Sequence, residues 1–263
     1  MNKVIPILIL VILFAAGAWL FFTQEPEAVS ELPPPPVPST ATSQLPLPES
    51  QPDVMQDFQE SDAEPAELPP PLPPLNESDG EIKQALAEAA DSASVADYLV
   101  KDQVVSRVVV AIDALTSRQV PGQINPVKPA GARFVVGKLG DKVVMSADNF
   151  ARYDGYVALL ENMDSDELLG FYQRYYPLFQ QAWEENGGEG SFNDRAVEVI
   201  DNLLETPDVS GPIYLVKPEA FYLYEDPELE AMTAGQKILV RMGSDNSAVV
   251  KQKLRELRAR LIP

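Results

Sequence analysis

Four acids, Glu189, Asp194, Glu198 and Asp201, gather around a glycine loop and a helix start. Asp194 and Glu198 stand one turn apart on the same helix face. A glycosidase needs two carboxylates roughly 5 to 9 Å apart, so this pair is the first place to look for acid–base chemistry. Just upstream, Phe171, Tyr175, Phe179 and Trp183 recur every fourth residue, with Tyr172 and Tyr176 one step round. Such rings stack on sugars or peptides, and with the acids they suggest a cell-wall glycan-binding or glycan-hydrolysing domain. A plainer account covers the same residues. Aromatics at every fourth position of a helix are first of all a core face. Asp194 then caps its helix, Glu198 and Asp201 are solvated, and Arg195 pairs with a neighbour. The plainer account is the expected one, and Tyr172, Tyr176, Asp194, Arg195 and Glu198 stay as the candidate ligand or partner surface.

The chain of 263 residues contains no cysteine and no histidine. That excludes disulfides, Cys/His zinc sites, Cys–His nucleophiles and every triad that uses imidazole as its base. A Ser–Lys hydrolase needs neither residue, since a buried lysine can act as base, but no serine sits in a recognisable nucleophile turn. Gly187, Gly188 and Gly190 match neither a dinucleotide fingerprint nor a P-loop, which needs Lys beside Ser or Thr. No residue is therefore assigned to catalysis, to a cofactor or to a metal. The net charge of −20 repels a phosphate backbone, and counterion release needs clustered Lys and Arg. Nucleic acid is not an expected partner. The one basic stretch is the C-terminal helix, with Lys251, Lys253, Arg255, Arg258 and Arg260; a solvated face is its simplest reading, and docking of an anionic partner or of the acidic linker is the sharper one.

The elements that must position these residues follow from periodicity and capping. Ser78 and Glu81 match a capping box ahead of a helix from Asp79, and apolar spacing predicts a second helix from about Ala96 to Leu115. Phe134 to Val136 and Val143 to Met145 read as paired strands around a turn at 137 to 141. A helical pattern runs from Asp148 through Met163, and the aromatic helix restarts at Asp164 or Ser165, with Pro177 inside it. Ser191 and Asp194 can cap a helix through Leu204, and Ile213 to Val216 makes a short strand. Asp226 before Pro227, then the capping box of Thr233 and Gln236, start two short helices, with Gly243 as a left-handed stop. The last helix spans about Ser244 to Leu261, with Val250, Leu254, Leu257 and Leu261 on its apolar face. The expected fold class is mainly α: a single compact helical domain over residues 78–263, carrying a small β-hairpin and short strands.

Two further segments precede this domain. Val4 to Phe22 is free of charge and strong polarity, and 19 residues at about 1.5 Å each cover the ~30 Å hydrocarbon core. Trp19, Phe21 and Phe22 stand where an aromatic belt belongs and not where a leader would be cut, so residues 1–22 are expected to be a retained transmembrane anchor. Lys3 precedes the span and the next base is Lys83, which orients the N-terminus to the cytoplasm. The expected location is the inner membrane, single-pass, with a periplasmic domain. Residues 23–77 are acidic and proline-rich, a composition that cannot build a core and favours extended polyproline II. They read as a disordered linker. Its proline runs are read as spacer, and docking into an aromatic groove is the sharper alternative.

The strings NPVKP at Asn125–Pro129, RYDGYV at Arg152–Val157, FNDR at Phe192–Arg195, AGQK at Ala234–Lys237 and RMG at Arg241–Gly243 resemble the bacterial domain of unknown function 3014. The resemblance covers nearly all of residues 75 to 260. It implies the layout of anchor, linker and domain, and it brings no reaction, ligand or catalytic residue. The composite expectation is a non-catalytic interaction or scaffold domain that meets an envelope protein partner.

Overall fold

The computed structural model describes residues 70–89, 98–100, 102–118, 126–127, 134–219 and 221–261. The proposed span Val4 to Phe22, and the linker as far as residue 69, lie outside them. No helix among the described residues is long and apolar enough to cross a membrane.

Helix α1, Asp79–Ala89, starts where expected. The Ser78 hydroxyl donates to the Leu75 carbonyl, and Glu81 accepts the Tyr175 hydroxyl. Helix α2, Val104–Ala114, begins later than its periodicity suggests. Gln103 ahead of it holds a left-handed φ of 58°, and the start is capped from a distance. The Asp79 carboxylate accepts from the Gln103 and Val104 amides at 2.7 and 2.8 Å. One acid thus opens its own helix and closes the orphan donors of the next.

Strands β1, Val136–Leu139, and β2, Lys142–Met145, form the expected hairpin, β1 starting two residues later and β2 one residue earlier than read from sequence. Gly140, at φ +62°, and Asp141 make a tighter turn. At the other end Asn149 takes over Val135, accepting its amide at 2.9 Å and donating to its carbonyl at 2.7 Å. The stretch expected to be helical from Asp148 splits. Ala147–Arg152 is a 3-10 turn capped by Ser146, in which Asn149 and Tyr153 amides donate to carbonyls three residues back. Helix α3, Asp154–Asn162, follows.

Helix α4, Ser165–Glu185, is capped by Asp164, whose Oδ1 accepts from the amides of Asp166 and Glu167. Those two amides, partly opposed by desolvation, hold the Asp164 carboxyl below its ordinary range. Helix α5, Phe192–Leu204, is capped by Ser191. Strand β3, Tyr214–Val216, pairs back onto β2 and onto an unforeseen β4, Leu223–Tyr224. Short helices α6, Pro227–Ala231, and α7, Ala234–Arg241, carry the foreseen caps, including both halves of the Thr233–Gln236 box. Gly243, at φ +82°, turns the chain into α8, Gly243–Leu261.

The result is a mainly helical domain with one small antiparallel sheet in the order β1-β2-β3-β4. Its main core joins Ile82 and Leu86 of α1 and Val108 and Ile112 of α2 to Phe179 of α4, Ile200 and Leu203 of α5 and Leu254 of α8, all essentially inaccessible. A second apolar cluster, Met145, Ile213, Leu215, Tyr224 and Val240, lies under the sheet. Val240 belongs to α7, so the sheet's inner face rests on that helix.

Candidate functional site

Of the carboxylates proposed for chemistry, Glu198 and Asp201 are held by arginines. Asp194 is exposed in the first turn of α5, where the cap position belongs to Ser191, whose Oγ accepts the Asn193 amide. Glu198 accepts from Arg195 Nη1 at 2.8 Å, and Asp201 takes both Nε and Nη2 of Arg258 at 2.7 and 3.0 Å. The guanidinium of Arg195 reaches beyond its own helix. It donates to the Asp113 carboxylate at 2.7 Å, to the Asp113 carbonyl at 3.0 Å and to the Thr116 hydroxyl, all at the C-terminal end of α2. Burial works against its charge, but the hydrogen bonds to Glu198 and Asp113 outweigh it and raise its pKa above the ordinary value. Arg195 is a clamp between α2 and α5.

The aromatic stripe is packed inward. Phe171, Tyr172, Tyr175 and Phe179 are buried, Tyr172 and Phe179 completely. Tyr172 lies 5.6 Å from Phe179, stacked, and 5.5 Å from Tyr176, edge-on. Burial pushes the Tyr172 phenol well above its usual value, and its hydroxyl has no hydrogen-bond partner. Tyr172 is therefore a core residue, not part of a surface. Burial, with the Glu81 carboxylate beside it, pushes Tyr175 up to about 12. Tyr176 is half-buried and its hydroxyl meets Gln180 Oε1 at 2.9 Å and Ser191 Oγ at 3.1 Å. The same Gln180 accepts the Phe192 amide and donates to the Gly190 carbonyl. Tyr176 thus helps latch α4 to the start of α5, and no row of free rings remains on which to stack a sugar.

The glycine loop has a mechanical reason. Trp183 donates its indole N–H to the Glu189 carbonyl at 3.2 Å, and a Cβ on Gly188 would fall 2.0 Å from the indole ring. The loop is pressed flat on Trp183, and the glycine is there because nothing larger fits. Among the described residues, a serine and a lysine approach one another at Ser165 and Lys253, and that contact too is part of the packing. Buried Ser165 donates to Glu256 Oε2 at 2.8 Å, with Lys253 Nζ 3.4 Å from the same hydroxyl. Lys253 also donates to the Met163 carbonyl at 2.9 Å and pairs with Glu256. Among the described residues no group of three or more carboxylates could hold a metal ion.

The basic helix α8 spends its charges inward as well. Lys251, expected on a solvated face, is 4% exposed and donates to the Thr206 carbonyl and to Asp208. Arg258 meets Asp201 and Arg260 meets Asp166.

One surface was not foreseen. The large hydrophobics left exposed among the described residues are Val135, Leu139, Val216 and Leu223, at 40, 52, 41 and 38%. The register puts three of them, Leu139, Val216 and Leu223, in one row. Leu139, Lys142, Val216 and Leu223 form one cross-strand row, and Gly137, Val144, Tyr214 and Glu225 the next, because Leu139 opposes Lys142, Val144 opposes Tyr214 and Val216 opposes Leu223. Alternation places both rows on the outer face, opposite Met145, Leu215 and Tyr224. Lys142 Nζ bonds Glu225 at 2.9 Å and stands 4.9 Å over the Tyr214 ring. The signal in the sequence was adjacent apolar residues in short strands, such as Val143–Val144 and Leu215–Val216: a strand with water on one face should alternate.

The family strings also have structural work. A Cβ on Gly235 of AGQK would meet Leu203 at 2.5 Å and the Leu115 backbone at 3.2 Å, and Gly243 of RMG lies against the Phe150 ring. Lys237 is buried with Glu230, whose other oxygen accepts the Tyr224 amide. No curated protein and no solved structure matches the chain. The model of the family described as Protein of unknown function (DUF3014) matches residues 104–258, more than half of the sequence and nearly the whole helical domain with its sheet, and the chain belongs to that family.

Proposed function

We propose that this is a single-pass inner-membrane protein, anchored by Val4 to Phe22 with its N-terminus in the cytoplasm, whose periplasmic domain is a non-catalytic docking or scaffold module. Its working surface is the outer face of the sheet. The reading rests on one contrast: Glu198, Asp201, Ser165, Lys253 and the buried aromatics are tied into the fold, whereas the sheet leaves Leu139, Val216 and Leu223 in water. Contiguous exposed apolar surface on a folded domain marks an interaction site. The acidic, proline-rich linker supports the same reading, since it carries the domain clear of the lipid surface.

Two measurements on cells test it. Protease added outside the inner membrane should digest the domain and spare the anchor. A photoreactive residue at Leu139 should give a discrete adduct that one at exposed Glu185 does not, and Leu223→Asp should abolish it. A protected domain defeats the orientation; equal labelling at both positions defeats the docking face.

A further inference from the structure

We infer that the outer sheet face pairs with itself, joining two copies of this chain about a two-fold axis; this rests on reading that face as the docking surface. The first argument is charge. Residues 80–263 carry 28 acids and 19 bases, so two copies repel over most of their surface. The outer sheet face is the exception: its two rows hold one base, Lys142, and one acid, Glu225. Like domains approach with least cost there.

The second argument is symmetry. An isologous contact uses one patch twice, so whatever stands on one side of the axis must complement what stands on the other. Lys142 on β2 and Glu225 at the end of β4 flank Tyr214 on β3, one strand to each side. An axis lying in the interface and crossing β3 between Tyr214 and Val216 sets Lys142 of each copy over Glu225 of the other. Both side chains are reachable, at 56 and 39% exposure, so each can share its charge across the interface without leaving its own partner. The apolar Val216 and Leu223 then meet their equivalents near the axis.

The third argument sets the strength. Strands of four, four, three and two residues, about 4.8 Å apart and about 3.3 Å per residue, give a face of roughly 200 Å², against about 800 Å² per partner in a standard stable interface. The pair is weak, of a kind that confinement of anchored chains to one membrane would populate.

The test uses the full-length chain in its own membranes, as two differently tagged copies with a photoreactive residue in place of Val216. The expected product joins the two tags. Lys142→Glu and Glu225→Lys should each cut its yield by about threefold, the scale of exposed ion pairs. Co-expressing the two variants should restore the mixed product. The carboxylate introduced at position 142 of one copy then faces the ammonium introduced at position 225 of the other, while the pair within each chain stays broken. Rescue on mixing is something an intramolecular role cannot produce. Adducts only with a different protein would overturn self-pairing and leave the docking face standing; no adduct at Val216 would overturn both.

Discussion

Arg195 and the tightly placed glycines show how the same residue types that advertise chemistry can be spent on packing. The Arg195 fork serves two carboxylates, a carbonyl and a hydroxyl at fixed angles, a geometry that a lysine point charge cannot reproduce. Arg195→Lys should therefore cost about 1–2 kcal/mol in urea unfolding, near the lower range for hydrogen bonds to charged groups since Glu198 is largely in water. Gly188→Ala and Gly235→Ala should each cost about 1–3 kcal/mol, the usual range for forcing volume into a packed site, and the former should also shift Trp183 fluorescence as the loop lifts from the indole. Glu256 gives a pH test. Its hydrogen bond from Ser165, opposed by desolvation and aided by Gln252 and Lys253, holds its pKa below the usual 4.5. A depressed carboxylate contributes stability that is whole above its unfolded pKa and disappears as pH falls through the folded one. Wild type should thus be more stable than Glu256→Gln at pH 7, and the gap should close below about pH 4.5; a gap unchanged at pH 3 would contradict this.

Helices were legible wherever their signals were local. Asp226–Pro227, the Thr233–Gln236 box, Asp164 and Ser191 all cap within three residues of themselves, so sequence spacing carries the geometry. The start of α2 was not legible, because its cap is Asp79, 24 and 25 residues away from the amides it accepts. Asp79→Ala should cost about 1–2 kcal/mol, as other N-cap removals do, and hydrogen exchange should show Val104 and its first-turn neighbours losing protection ahead of the rest of α2. Strand β4 was missed for a related reason. Two residues have no periodicity to read, and Leu223–Tyr224 is a strand only because Val216 and Leu215 lie beside it.

In the assembled domain the family strings serve the packing: Arg195, Gly235, Lys237 and Gly243 clamp, admit or turn helices. Both apolar clusters are built from residues beyond position 70. A chain starting at residue 70 should accordingly unfold in one cooperative transition with the helical circular dichroism of the longer protein, and a transition broadened by the truncation would argue against a self-sufficient core. The sequence by itself determined the helical class, the caps that close within a few residues, the exclusion of imidazole and thiol chemistry, and the family, because each depends on residue type or on neighbours a turn or two away. Only the tertiary structure decided that Lys251 is buried, that Asp201 pairs with Arg258 and Asp113 with Arg195 across helices, and that a sheet turns large apolar side chains to water. Those are facts about partners distant along the chain, and the pattern of one segment cannot say which other segment will cover it.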